Sequence, residues 1–373
     1  MRDAVKLHQK AMMFADEALM AKSVGNHERA RTLNRDAFCL ERRAALRLLT
    51  VPSEEPSRSV LARSAASLAL ECEEFREAEK LIGLALAGDP PQEIADELRV
   101  LLEDVYFQRH LSLGGVQLFP EEFQLSMWGP AIGSGIANSR EFVHRAQKVE
   151  TLVHRTAERK LALPYRDSGR RKKDFKEKLD LYISAGRAAS YSVTFRIGGY
   201  SPPEFPELSL AKAIIDEILQ DIVLLEGNRL GPLRSQIGDD AYFNNFMGLI
   251  RDIAPDGKDI KAVGFTCSRA AHETRVTLAT PRKSLPFGTK EPRDAAESDG
   301  AAVKVRGVLK FADSLSKAHN TIKLEGNEGK IYEIVIPPGM MRDIVRPRWG
   351  EEVEILAIRG EGRLVLETID LAE

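Results

Sequence analysis

Three cysteines, Cys39, Cys72 and Cys267, are too few and too scattered in 373 residues to form a disulfide framework. Their number is odd and two of them sit inside helix-like apolar patterns. They are expected to be small buried hydrophobes in a reducing compartment. No stretch approaches the ~20 consecutive apolar residues that a membrane-spanning helix needs, so a membrane is not an expected partner. The opening residues, MRDAVKLHQK, have no apolar core of the signal-peptide kind, and the expectation is a cytoplasmic protein. A net charge of −2 gives no global attraction to nucleic acid. Nor does any serine, cysteine or paired-carboxylate arrangement show catalytic spacing, so no enzyme, no cofactor and no metal are expected.

What is present is a hydrophobic fraction of 43%, ordinary for a soluble globular chain and enough for two or three domains. The clearest signal runs from Ser57 to Pro90. Ala62, Ala65, Ala66 and Ala69 recur at steps of three and four, which puts them on one helix face. Ala78, Leu81, Ile82, Ala85 and Leu86 repeat the spacing in a second helix, and Pro90 and Pro91 end it. Small residues on facing sides let two helices approach closely. An earlier hairpin is expected over residues 4 to 48, broken at Gly25-Asn26, with Ala30 and Ala37 spaced like Ala78 and Ala85. A helix from Glu93 to Tyr106 should cap the stack.

The pattern resembles a tetratricopeptide repeat over about residues 4 to 110. Ala66, Ala69, Ala78, Ala85 and Pro90 fall on the small residues and the terminal proline of that family. The offset between the two hairpins is 48 residues, against ~34 in the family unit. The resemblance implies a platform of antiparallel helices that holds a partner protein.

Beyond Gly114 the periodicity changes. Phe123, Leu125 and Met127, then Tyr191, Val193, Phe195 and Ile197, alternate as strands do, and Val263, Phe265 and Cys267 continue the set with Val276 and Leu278. Helices are expected from Asn138 or Ser139 to about Leu163, from Glu207 to Glu226, and from Asp240 to Ile253. Residues 112–280 thus read as an α+β domain with helices on one face of a small sheet. Residues 281–302 read as a linker by composition. Residues 303–373 carry five short alternating runs, which resemble a small β-barrel of the oligonucleotide/oligosaccharide-binding or SH3-like type. The fold class expected is multidomain α and α+β, with the helical domain at 1–111.

Four groups of residues bear on chemistry. Arg140 to Lys178 holds 13 Lys or Arg against 6 Asp or Glu. Within it Arg166, Arg170, Arg171, Lys172, Lys173 and Lys176 surround Tyr165, a pattern that suits phosphates beside a stacked base and makes nucleic acid the second candidate partner. Gly133, Ser134, Gly135 and Ser139 lie between a strand and a helix N-terminus, where backbone N–H groups can meet a phosphate. Without a Gly-Lys-Ser/Thr or a third glycine, a structural turn is the plainer account. Glu150, His154 and Glu158 recur every fourth residue and could ligate a metal, but Arg155 and Arg159 beside them favour ordinary ion pairing along a helix. Cys267 and His272 flank a turn, with Cys267 expected to face the core. The leading expectation is a non-catalytic adaptor that binds a partner protein on its helical platform.

Overall fold

The computed structural model describes residues 2–111, 118–130, 132–133, 136–169, 178–184, 191–198, 205–269, 272–286, 302–313, 320–326, 329–360 and 363–372. The chain forms two compact units, Met1–Gly114 and Gly115–Glu373.

The first unit is helical. Helices α1 (Arg2–Ser23) and α2 (His27–Leu48) pair as a hairpin, α3 (Ser57–Glu71) and α4 (Phe75–Leu86) as another, and α5 (Gln92–Leu111) packs on both α3 and α4. Gly25 takes a left-handed φ of +80°, and the Asn26 side chain accepts the Arg29 N–H to start α2. The core is built on alanine: Ala37, Ala44, Ala62, Ala65, Ala66, Ala69, Ala78 and Ala85 are wholly buried. Leu81, Ile82, Leu98 and Val105 fill the space between them. A feature the periodicity did not announce is Arg58, buried near the start of α3. It donates to Leu49 O at 3.1 Å, to Leu84 O at 2.7 Å and to Ala85 O at 3.2 Å, and it pairs with Glu55. One guanidinium thus satisfies carbonyls at the C-terminal ends of two helices. Cys39 differs from expectation. It lies on the outward face of α2 and is exposed, whereas Cys267 is buried; burial pushes the half-buried Cys72 thiol up to about 11.

In the second unit a five-stranded sheet runs in the order β4 (Leu181–Ile183), β5 (Tyr191–Ile197), β1 (Glu122–Trp128), β6 (Ala262–Arg269), β7 (His272–Leu278). Register puts Phe123 opposite Phe195, Leu125 between Val193 and Phe265, and Val263 opposite Leu278. These side chains share one face, and Phe123 stacks on Phe195 at 5.4 Å. That face meets α6 (Ser139–Lys160) and α7 (Phe205–Glu226) through Val149, Leu152, Val153, Ile215, Ile218 and Leu219. The other face carries Gln124, Ser126, Ser192 and Thr266, also buried, with Ser126 and Ser192 hydroxyls 2.8 Å apart.

Helices α8 (Leu230–Ile237) and α9 (Asp240–Ile253) follow. A small hairpin of β2 (Ile132–Gly133) and β3 (Ile136–Ala137) occupies the glycine-rich turn. Strand β4 and helix α8 are short and carry no periodic signal of their own. Leu230 is followed by Gly231-Pro232, a pair that reads as a loop.

The last five strands are β8 (Ala302–Asp313), β9 (Asn320–Gly326), β10 (Ile331–Ile336), β11 (Glu352–Gly360) and β12 (Arg363–Leu371). Their pairings run β10–β12–β11–β8–β9 and return from β9 to β10, so each strand has two neighbours; β10 with β12 is the parallel pair. Segments 112–280 and 303–373, which composition separates, share one hydrophobic core that extends from Phe123 to Ile369. Residues 281–286 belong to it as well: Arg282–Ser284 form a helical turn and Leu285 is buried. The rest of the expected linker, 287–301, lies outside the described residues.

Candidate functional site

Helix α6 is the spine of the second unit, and its composition conflicts with its position. Arg145, Lys148, His154, Arg155 and Glu158 are all buried. Buried charge is tolerable only when paired and hydrogen-bonded, and four of these five residues, all but Glu158, find a partner in a distant part of the chain.

Arg145 donates from Nε to Ile253 O at 3.1 Å and from Nη2 to Ala254 O at 3.3 Å, closing the C-terminal end of α9. Lys148 Nζ lies 2.7 Å from Asp252 Oδ2 and donates to Asp343 O at 2.8 Å. Arg348 pairs with Asp252 and donates to Ile344 O. Burial alone would push the Asp252 carboxyl up; Arg348 and Lys148 against it hold it below the usual carboxylate range.

Two turns further, Arg155 places Nε and Nη2 each 2.7 Å from Asp343 Oδ2 and Nη1 3.0 Å from Glu158 Oε2. Asn245 on α9 donates to the same Asp343 oxygen at 3.1 Å and to Gly339 O at 2.9 Å. Arg159 reaches Glu217 and Asp221 on α7 at 2.7 and 2.8 Å.

The residues proposed for nucleic acid divide. Tyr165 and Arg166 are described, and both are committed inward. The Tyr165 hydroxyl donates to Gly339 O at 2.8 Å. One ring face is covered by the Arg155 guanidinium at 4.2 Å, and Tyr242 meets the ring edge-to-face at 5.1 Å. One face of that ring is thereby closed to a base. Arg166 pairs with buried Glu158. Their surroundings correct the expectation for these two: Tyr165 ties the chain after α6 to the turn at Gly339, and Arg166 ties it back to Glu158 on α6. Arg170, Arg171, Lys172, Lys173 and Lys176 lie outside the described residues.

The described part of the glycine-rich segment holds a close backbone approach and a strand. Gly129 has φ +151°, and a Cβ there would stand 2.3 Å from Asp259 O and 2.7 Å from Ile260 Cα. Gly133 belongs to β2, and Asn138 rather than Ser139 caps α6, its side chain accepting the Arg140 N–H at 3.0 Å. Ser139 opens the helix and is exposed; Ser134 and Gly135 lie outside the described residues.

The Glu150–His154–Glu158 ladder is split. Glu158 is consumed by Arg155 and Arg166. In its place the fold brings Asp180, from the chain entering β4, to Glu150 and His154, with one donor atom of each within 4.8 Å of the others. Asp180 was not singled out in the sequence, because 26 residues separate it from His154 and no local spacing links them. Cys267 is wholly buried on β6 opposite Thr274, and His272 opens β7 opposite Arg269.

The first unit has a different kind of candidate. Met13, Met20 and Val24 fall on one line along α1 and the turn after it, exposed by 62, 69 and 80%, with Leu19 beside them at 69%. Next to this strip an open groove of about 420 Å³ is lined by Glu17, Met20, Ala21, Val24, Asn26 and Arg29. Helix α1 spends its alanines, Ala4, Ala11, Ala18 and Ala21, on the buried side. Met13 and Met20 on its other side, and Val24 in the turn that follows, are left in water. Among the described residues no helix is long and apolar enough to cross a membrane. Comparison with family models, with curated proteins and with solved structures finds no match for this chain.

Proposed function

We propose that the protein is an adaptor without chemistry of its own, whose tetratricopeptide-like N-terminal unit docks a partner protein along α1. The observation that supports this reading is the strip of Met13, Leu19, Met20 and Val24 beside the groove at Glu17 and Arg29. Methionine in water at these positions costs free energy that burial against another surface would return, and its unbranched side chain adapts to the surface it meets. A groove of this size takes one or two apolar side chains of a docked segment, and Glu17 and Arg29 can orient it. The strand ring of the second unit is then of the small-barrel type.

The test compares affinity purification of the full chain with that of a Met20→Glu/Val24→Glu variant, in the presence of nuclease and at high salt. A partner present in stoichiometric amount with the wild type should be lost from the variant. For an anchor worth about 2 kcal/mol, affinity should fall about thirtyfold. Equal retention by both proteins would refute docking on α1. Binding that disappears with nuclease would favour the basic segment and nucleic acid instead.

A further inference from the structure

Helix α2 carries Arg35, Cys39 and Arg42 at steps of four and three, so the three share one face. Both arginines reach the second hairpin. Arg35 Nη2 lies 3.0 Å from Glu74 Oε1, and Arg42 Nε lies 2.6 Å from Glu77 Oε1. Glu74 precedes α4 and Glu77 lies in its first turn. The face that holds Cys39 is thus tied, one turn before it and one turn after, to the junction of α3 and α4. Cys72 closes α3 at this junction, its N–H donating to Leu68 O at 3.1 Å and to Ala69 O at 3.2 Å.

The surroundings of Cys72 bear out this placement. Burial is the main cause of its raised thiol; Arg35 opposes the rise, and Cys39 adds to it. The two thiols differ in access. Cys39 is open to solvent, whereas Cys72 is half-buried against the alanine core. Cys267, in the other unit, is wholly buried. An oxidant arriving from solvent therefore meets Cys39 first. After Cys72 the chain leaves the helix, with Glu73 at φ +60° before α4 begins. A bond between the two sulfurs asks for side-chain rotation and for movement at a helix end, not within a helix.

We infer that Cys39 and Cys72 are a peroxide-responsive thiol pair that closes into a disulfide between α2 and the α3–α4 junction. The Cys39 thiolate attacks hydrogen peroxide, the O–O bond breaks, and Cys39 becomes a sulfenic acid. The departing hydroxide takes up the proton that the Cys39 thiol released and leaves as water. The Cys72 thiolate then attacks the Cys39 sulfur; the S–S bond forms, the S–O bond breaks, and a second water leaves with the Cys72 proton. Two thiols and one peroxide thus give one disulfide and two waters. The raised Cys72 thiol makes the second step slow near neutral pH and faster as the pH rises, because the thiolate is the attacking form. Cellular thiols would reopen the bond once the oxidant is gone. While closed, it would fasten α2 to the second hairpin.

The full chain is reduced, freed of reductant and treated with hydrogen peroxide at neutral and at mildly alkaline pH. Remaining thiols are alkylated in denaturant, and the tryptic peptides are weighed. The expected product joins the peptide Asp36–Arg42 to the peptide Ser64–Arg76, lighter by two hydrogens than their sum. It should come from monomeric chain, form faster at the alkaline pH and vanish with dithiothreitol. In Cys72→Ser, Cys39 should pass on to the sulfinic acid instead. In Cys39→Ser, Cys72 should stay open to alkylation. Circular dichroism of the reduced variants establishes that both fold. The pair is overturned if peroxide leaves both wild-type thiols free, if wild-type Cys39 reaches the sulfinic acid with no linked peptide, or if Cys39 links only to Cys39 of a second chain.

Discussion

Asp252 and Asp221 are both carboxylates with almost no exposure, yet their surroundings push them in opposite directions. Asp252 is held low between Arg348 and Lys148, although burial opposes this. Burial raises Asp221 to about 6, with Glu217 adding to it, and Arg159 and Gln236 only partly offset the rise. The pH consequences have opposite signs. Asp252 contributes stability that is present above the ordinary carboxylate range and lost as the pH falls through its depressed value. Asp221 holds a proton in the native state between about 4 and 6 where the unfolded chain has lost it, so its contribution grows as the pH is lowered from 7 towards 5. Asp252→Asn at pH 7 should cost about 3–5 kcal/mol, because it leaves two buried cations short of a counter-charge. Asp221→Asn keeps an acceptor for Arg159 and Gln236. It should be far milder at pH 7 and should flatten the rise in stability on mild acidification. Denaturant unfolding of both variants at pH 5 and 7 checks the pair; equal losses at pH 7 would refute the assignment.

At the scale of elements, the turn after β10 decides how the strand ring meets the helices. Gly339 has φ +89°, and a Cβ there would lie 1.9 Å from Ala241 O in the first turn of α9. Its own carbonyl accepts from both Tyr165 and Asn245. Gly339→Ala combines a backbone clash with an unfavourable φ. It should destabilise the second unit by at least about 2 kcal/mol. Gly350→Ala is the control, since its φ is +79° but nothing lies within 4 Å of the added carbon. It should cost only the backbone term, about 1 kcal/mol. Thermal melts that placed the two variants at the same midpoint would mean that the approach to α9 is not what Gly339 is for.

At the scale of the whole molecule, the strand ring and the central sheet are parts of one unit. Arg155, Lys148 and Asn245 find Asp343 or its carbonyl only when the ring is present, and Ile344 lies within van der Waals reach of Gly248 on α9. A chain ending at residue 286 would expose that surface and strand the buried cations of α6. It should show secondary structure by far-UV circular dichroism but no cooperative thermal transition for its sheet-containing part. A sharp transition with intact near-UV signal would refute the shared core.

Much of this was legible in the sequence, and the rest was not for definable reasons. The alanine steps of α3 and α4, the alternation of β1 and β5, and the five C-terminal runs all appear because burial imposes a period of 3.6 or 2 on neighbouring residues. Local spacing also showed that Cys267 faces inward. It could not assign partners. Arg155 and Arg159 read as partners in ion pairing along their own helix, and Arg166 as a phosphate contact, whereas Asp343, Glu217, Asp221 and Glu158 take them up. Tyr165 read as a stacking residue until Arg155 came to lie over its ring. Asp180 had no signal, since only the return of the chain to β4 brings it to His154. Periodicity along the chain determined the elements and the side each one buries. Which charges meet was decided by the tertiary structure alone, because a buried ion pair depends on distance in space and leaves no repeat in the sequence.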